Sequence, residues 1–298
     1  MSVFDFSLLL LLAALWGFSF LFIRIAVPAL GPLALADIRV LLAGLVLVLY
    51  GLVTGRRVGF RGRMLRFLIL GAINGAIPFS LINWAELHLT ASMAAILNSA
   101  TPLFGALIAG VWLGERITAA RAVGLALGFV GVGVVVGWNP QPVTPLTLAA
   151  AGAMLLASFH YGLGSTYAAR YLRGLPTLTL AAGQQLGAGL VLLPLALAFP
   201  PAGVPPRPAL LSLLALALLC TAVAYLLYFR LLERVGPTST LSVTYLVPIF
   251  GLIWGRLFLQ EPIGPGLLVG LALVLLSVTL VTGFRLPGLQ RIARSARP

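Results

Sequence analysis

The chain has 298 residues, of which 61% are hydrophobic and 8% charged, and its mean hydropathy is +1.11. A soluble domain carries roughly 25% charged residues, so an ordinary soluble enzyme, a nucleic-acid module and, with Cys220 as the single cysteine, a disulfide scaffold are all excluded. The net charge of +13 comes from nineteen arginines with no lysine; they fall mainly between apolar runs and at the C-terminal end, a placement that sets membrane topology and does not mark a polyanion site.

A helix crossing a bilayer needs about 20 apolar residues. Ten segments qualify: 7–27, 33–53, 66–86, 91–113, 119–137, 147–168, 177–199, 208–232, 237–258 and 263–284. The first is preceded by Asp5 and by no basic residue, and lacks a clear cleavage site before Arg24, so it reads as a span and not as a signal peptide. It carries Trp16, Gly17 and Phe20. The second holds Asp37 and Arg39 near one end, shallow enough to snorkel or pair; Arg39 is read as the receptor of a substrate carboxylate, as half of a structural ion pair or as an interfacial anchor. The third places Phe79, Asn83 and Trp84 after Pro78 and closes on Glu86.

The fourth and ninth segments each contain a mid-span proline, Pro102 and Pro248. Proline removes a backbone donor and frees a carbonyl, which inside a membrane must find a neighbour or a water-filled cavity. With Pro78 they are the predicted hinges. Ala91, Ala95, Asn98, Pro102, Gly105 and Ala109 share one face of the fourth segment, and Thr244, Pro248, Gly251 and Gly255 share one of the ninth. Such narrow stripes either let helices touch or line a cavity, and Asn98 and Thr244 at matched positions favour lining. Gly124, Gly128 and Gly131 in the fifth segment, with Gly266 and Gly270 in the tenth, predict a packed scaffold pair. The sixth and eighth add His160 and Tyr167, and Tyr225 and Tyr228. His160 is read as a substrate contact, a proton relay or a histidine bonded between packed helices. Together Trp16, Phe20, Phe79, Asn83, Asn98, His160, Tyr225 and Thr244 are expected around one apolar, aromatic-lined site for an amphipathic small molecule.

The chain also resembles itself. Shifting it by 146 positions superposes Pro102 on Pro248, Phe104 on Phe250, Gly105 on Gly251, Leu113 on Leu259, Glu115 on Glu261 and Gly124 on Gly270; an offset one smaller sets Gly17 on Gly162, Trp16 on Tyr161 and Arg39 on Gln184. The unit is five helices, and five is odd, so the second copy enters from the other side. The expected organisation is an all-α membrane protein of two inverted five-helix repeats, 1–140 and 146–285, with a basic tail at 286–298. With a cytoplasmic N-terminus fifteen of the nineteen arginines lie inside, all but Arg24, Arg39, Arg207 and Arg256, which predicts both termini in the cytoplasm. Inverted repeats imply alternating access, hence transport.

No P-loop, H-E-x-x-H or pair of mid-membrane aspartates is present, and two histidines with one cysteine cannot close a metal site, so neither a cofactor nor an enzymatic reaction nor a primary pump is expected. The Trp16-Gly17 pair, Arg39, the stretch from Thr101-Pro102 to Leu113-Gly114-Glu115-Arg116 followed by Gly124, Gly128 and Gly131, and the weaker copy from Pro248 to Glu261 resemble the EamA-type drug/metabolite transporters over essentially the whole chain. Pro262 stands after Glu261 where Arg116 follows Glu115, so both glutamates are read as helix-end structure. The resemblance implies a ten-helix bacterial inner-membrane carrier, commonly exporting amino acids or related metabolites, with helices 1, 3, 4, 6, 8 and 9 around the substrate; in character the chain is similar to the aromatic amino acid exporters. The expected activity is secondary export of small amphipathic metabolites, foremost aromatic or other neutral amino acids. Efflux of drugs or quaternary amines, and a non-transporting role such as a lipid-handling enzyme or assembly scaffold, are the alternatives. The expected partners are the substrate and the lipid bilayer, with no nucleic acid, and the chain is expected to be a monomer.

Overall fold

The computed structural model describes residues 2–56, 58–114, 118–138 and 142–282; Glu115, Arg116 and the tail at 286–298 lie outside the described residues. Among the described residues ten helices are long and apolar enough to cross a membrane: α1 (Val3–Leu30), α2 (Pro32–Val53), α3 (Met64–Ala85), α4 (Ala91–Trp112), α5 (Ala119–Gly137), α6 (Pro145–Tyr171), α7 (Thr177–Ala198), α8 (Arg207–Gly236), α9 (Ser239–Leu259) and α10 (Pro265–Thr282). Each overlaps one predicted segment, and no strand occurs among the described residues. The all-α membrane fold is therefore observed.

The helix starts follow from local chemistry. Ser2 accepts from the Asp5 amide while the Asp5 carboxylate accepts from the Ser2 amide, closing a capping box at the head of α1. Thr90, Thr118 and Thr144 cap α4, α5 and α6 in the same way, each accepting from a backbone amide three residues on. Gly31, at φ 75°, supplies the left-handed turn between α1 and α2, and Pro32 then opens α2 where its missing N–H costs nothing.

Four spans are interrupted, α9 only by the single turn residue Ser242. In α3 a π-helical turn, Ala72–Ala76, precedes Pro78; in α8 a second one covers Leu218–Val223. Their first residues are 146 positions apart, the offset of the sequence repeat. α4 is two pieces, Ala91–Asn98 and Thr101–Leu113, with Pro102 in the first turn of the second. The carbonyl of Asn98, to which Pro102 cannot donate, accepts from the Thr101 hydroxyl at 2.8 Å and from Ser158 of α6 at 3.4 Å. Pro248, by contrast, sits inside one unbroken stretch, Val243–Leu259. The two prolines expected as equivalent hinges thus occupy different local structures, because the Ser99–Ala100 break in α4 has no counterpart at the same place in α9.

Burial in a bilayer gives helices little reason to associate, so small residues decide which of them touch. α5 packs along α10: Gly124, Gly128 and Gly131 face Ser277, Leu280, Val274 and their neighbours, and a Cβ on Gly266 would lie 1.7 Å from the Trp138 carbonyl oxygen. α3 meets α7 as closely, since a Cβ on Gly71 would fall 2.2 Å from the Ala188 amide nitrogen. α1 lies between α8 and α9, and α6 packs on α3 and α4. The remaining space is central.

Candidate functional site

A cavity of about 270 Å³ lies at mid-span and is lined by seven helices: α1, α2, α3, α4, α6, α8 and α9. α1 gives Trp16, Phe20 and Ile23, positions that recur on one face of a helix. Phe79 and Ile82 come from α3, Asn98 and Pro102 from either side of the break in α4, and Tyr161 from α6. α8 contributes Cys220, Thr221 and Tyr225, and α9 contributes Thr244 and Pro248. The single member from α2 is Arg39.

Two polar clusters are built around the π turns, and Arg39, Thr221 and Tyr225 bring them to the cavity wall. A π turn inserts one residue, which leaves a carbonyl without its usual helical partner and re-aims the side chains that follow. In α8 the freed carbonyl of Leu216 accepts from the Thr221 hydroxyl at 2.8 Å, and Thr221 Oγ1 in turn accepts from Arg39 Nε at 2.9 Å. The Arg39 guanidinium lies 4.2 Å from the centre of the Phe79 ring. Around the α3 turn the same construction recurs with other residues. The carbonyl of Asn74, to which Pro78 cannot donate, accepts from Gln184 Nε2 at 3.4 Å; Asn74 Nδ2 donates to Gln184 Oε1 at 2.7 Å, and Gln184 Nε2 also donates to the Tyr225 phenol at 3.2 Å. Gln184 is the repeat partner of Arg39, and Tyr225 is that of Phe79. Each cluster therefore joins a polar side chain and an aromatic ring from one half to the π turn of the other, and only the cluster around Arg39 carries a charge.

Of the eight side chains expected at the site, Trp16, Phe20, Phe79, Asn98, Tyr225 and Thr244 line the cavity, as does Arg39. Asn83 and His160 do not. Asn83 is fully buried one turn beyond Phe79, where its amide donates to the Pro32 carbonyl at 2.9 Å and ties α3 to the turn after α1. His160 Nδ1 lies 2.8 Å from the carbonyl of Leu156, one turn back on its own helix, and its ring meets Phe159. Successive residues on a helix point about 100° apart, so Tyr161 takes the inward place instead, edge-on to Phe79. Its pairing with Trp16 in the repeat register was the signal for it. Thr221 had no such signal, because the π turn shifts the facing of α8 by one residue. Pro102 and Pro248 reach the lining, whereas Pro78 stands behind it.

At the ends of the spans the remaining ionisable groups serve structure. Glu261 accepts from the amides of Ala91 (2.8 Å) and Ser92 (3.0 Å) and from the Ser92 hydroxyl, capping the N-terminus of α4. Arg24 donates to the backbone carbonyl of Glu86. Asp5 binds Arg234 at 2.6 Å and fastens the head of α1 to the end of α8. No group of three or more histidine, cysteine, aspartate or glutamate residues suited to a metal occurs among the described residues.

A ten-helix bundle with a central apolar cavity is the architecture of a solute carrier, and comparison with known proteins agrees. The EamA-like transporter family matches residues 6–137 and again residues 148–283. The chain belongs to that family. Protein PecM of Dickeya dadantii is 28% identical over 89% of this chain and 88% of its own. A probable terminal-alkyne amino-acid exporter of Streptantibioticus cattleyicolor is 31% identical over 92% of this chain and 91% of its own. Transporter YvbV of Bacillus subtilis is 26% identical over 92% and 90%. A crystal structure 17% identical in sequence, covering 100% of both chains, superposes with a TM-score of 0.69 and so shares the fold. The family makes this chain a multi-pass membrane transporter with a small-molecule substrate, and the Bacillus and Streptantibioticus relatives carry the names of a transporter and an exporter.

Proposed function

We propose that the protein is a secondary carrier that exports small amphipathic metabolites, foremost aromatic or other neutral amino acids, across a bacterial inner membrane by alternating access. The observation that carries this reading is the central cavity itself: five aromatic rings, from Trp16, Phe20, Phe79, Tyr161 and Tyr225, beside the guanidinium of Arg39. Such a wall suits a flat or branched apolar body with one polar end. At about 270 Å³ the cavity is of metabolite size and small for a bulky drug. Efflux of cationic drugs would call for an acid in the wall, and none lines it. The relative named as an amino-acid exporter supports the same substrate class.

Alternating access rests on the halves being inverted copies, 1–140 and 146–285. The double family match, the two π turns at an offset of 146 and the matched pairs Arg39/Gln184 and Phe79/Tyr225 all support that relation. The arginine distribution supports cytoplasmic termini, and one chain encloses the whole cavity, as a monomeric carrier requires. Counterflow into liposomes holding purified protein, run across labelled amino acids, nucleosides and quaternary amines, tests the reading. Flux of aromatic and neutral amino acids without ATP is expected. Movement of quaternary amines alone, or of nothing in a folded preparation, would contradict it.

A further inference from the structure

Arg39 is a buried cation that touches no carboxylate among the described residues. Its Nε is held by Thr221 and its face rests on Phe79, and among the described residues no carboxylate forms an ion pair with it. None of the nearby acids lines the cavity: Glu261 caps α4, while Asp37 and Glu86 are buried outside the lining, and Glu86, though within electrostatic reach of Arg39, makes no ion pair with it. A guanidinium keeps its charge in a protein, and an unbalanced charge in a low-dielectric wall is costly until something neutralises it. The cavity wall therefore carries one positive charge, and its other polar groups, Asn98, Ser99, Thr101, Thr221 and Thr244 among them, are neutral.

We propose that this is a monoanion site: Arg39 takes the cargo's carboxylate, nothing in the wall balances an ammonium, and a carboxylate without a free amine binds at least as well as the corresponding amino acid. This rests on the carrier reading above and narrows its substrate class. The charge count is the argument. A monoanion brings the cavity to zero, a zwitterion leaves it at plus one, and an amine raises it to plus two. Asn98 Oδ1, buried against the cavity with no hydrogen-bond partner, is a neutral acceptor that suits an N–H or O–H on the cargo without adding charge. The second half cannot offer the mirror-image site, because Gln184 stands where Arg39 would be and its amide is already spent on Asn74 and Tyr225.

The test is a matched series on purified protein, read both by thermal shift and by competition for counterflow: phenylalanine, 3-phenylpropionate, N-acetylphenylalanine, phenylalaninamide and 2-phenylethylamine. 3-Phenylpropionate and N-acetylphenylalanine should bind at least as tightly as phenylalanine, and the amide and the amine at least tenfold more weakly. Arg39→Gln should erase the preference of acid over amide, and Arg39→Lys should retain part of it. Phenylalanine binding where 3-phenylpropionate does not, or the amide matching the acid, overturns the monoanion site while leaving the carrier intact. Thermal shifts in the expected order without flux of any cargo would instead uphold the site and remove the transport reading. The ligand series needs only the wild type, so misfolding of an Arg39 variant does not protect the proposal.

Discussion

Glu86 shows how far one side chain departs from its ordinary chemistry. It lies just past the end of α3, fully buried, with neither carboxylate oxygen hydrogen-bonded. Burial pushes its carboxyl well above the usual range; the Arg24 guanidinium opposes the shift, the neighbouring Glu261 carboxylate adds to it and Arg39 opposes it again. The folded protein then binds a proton that the unfolded chain releases near 4.5, so stability should fall as pH rises from about 4.5 towards the folded value. Glu86→Gln carries no such charge at any pH. Thermal melts of the two proteins from pH 4 to 8 should converge at the acid end and separate at the alkaline end, with the variant more stable; parallel curves would mean that Glu86 is ionised in the fold.

Among the elements, the π turns determine which residues meet. Each adds one residue to a span, and a single added residue rotates everything beyond it by about 100°. Without them Phe79 and Tyr225 would face away from Arg39 and Gln184. Deleting Ile73 from the turn in α3, or Leu219 from the turn in α8, should leave the helix content of the protein nearly unchanged while abolishing transport; full flux in either deletion would make the turns incidental. This is also where sequence legibility ended. The ten spans, the packing of α5 on α10 and the aromatic wall were readable from hydropathy, glycine spacing and the repeat register. A π turn leaves no periodic mark, so Thr221 was missed. Asn83 and His160 were misplaced for a related reason: residue type names a polar group in a span, but only the exact rotation and depth of the helix say what it faces. Pro102 and Pro248 look equivalent because their sequence contexts match, although the two-residue break lies directly before Thr101 and Pro102 while the turn at Ser242 lies six residues before Pro248.

Across the whole molecule, the proposed carrier encloses one substrate site among ten helices and turns its arginine-rich end to the cytoplasm. Orientation can be checked with Gly59→Cys and Gly203→Cys, both at exposed positions, in protein whose own cysteine is replaced. An impermeant thiol reagent applied to intact cells should modify position 203 and spare position 59; the reverse pattern would invert the topology. The cavity itself holds a native reporter, since Cys220, the chain's only cysteine, is part of its wall beside Thr221 and Arg39. The most direct measurement is therefore counterflow of a labelled aromatic carboxylate into proteoliposomes before and after alkylation of Cys220 by a bulky maleimide. Alkylation should abolish flux, and saturating cargo present during the reaction should slow the labelling of Cys220 and preserve flux in proportion. Complete labelling of Cys220 with flux unchanged would show that the cargo takes another path through the protein.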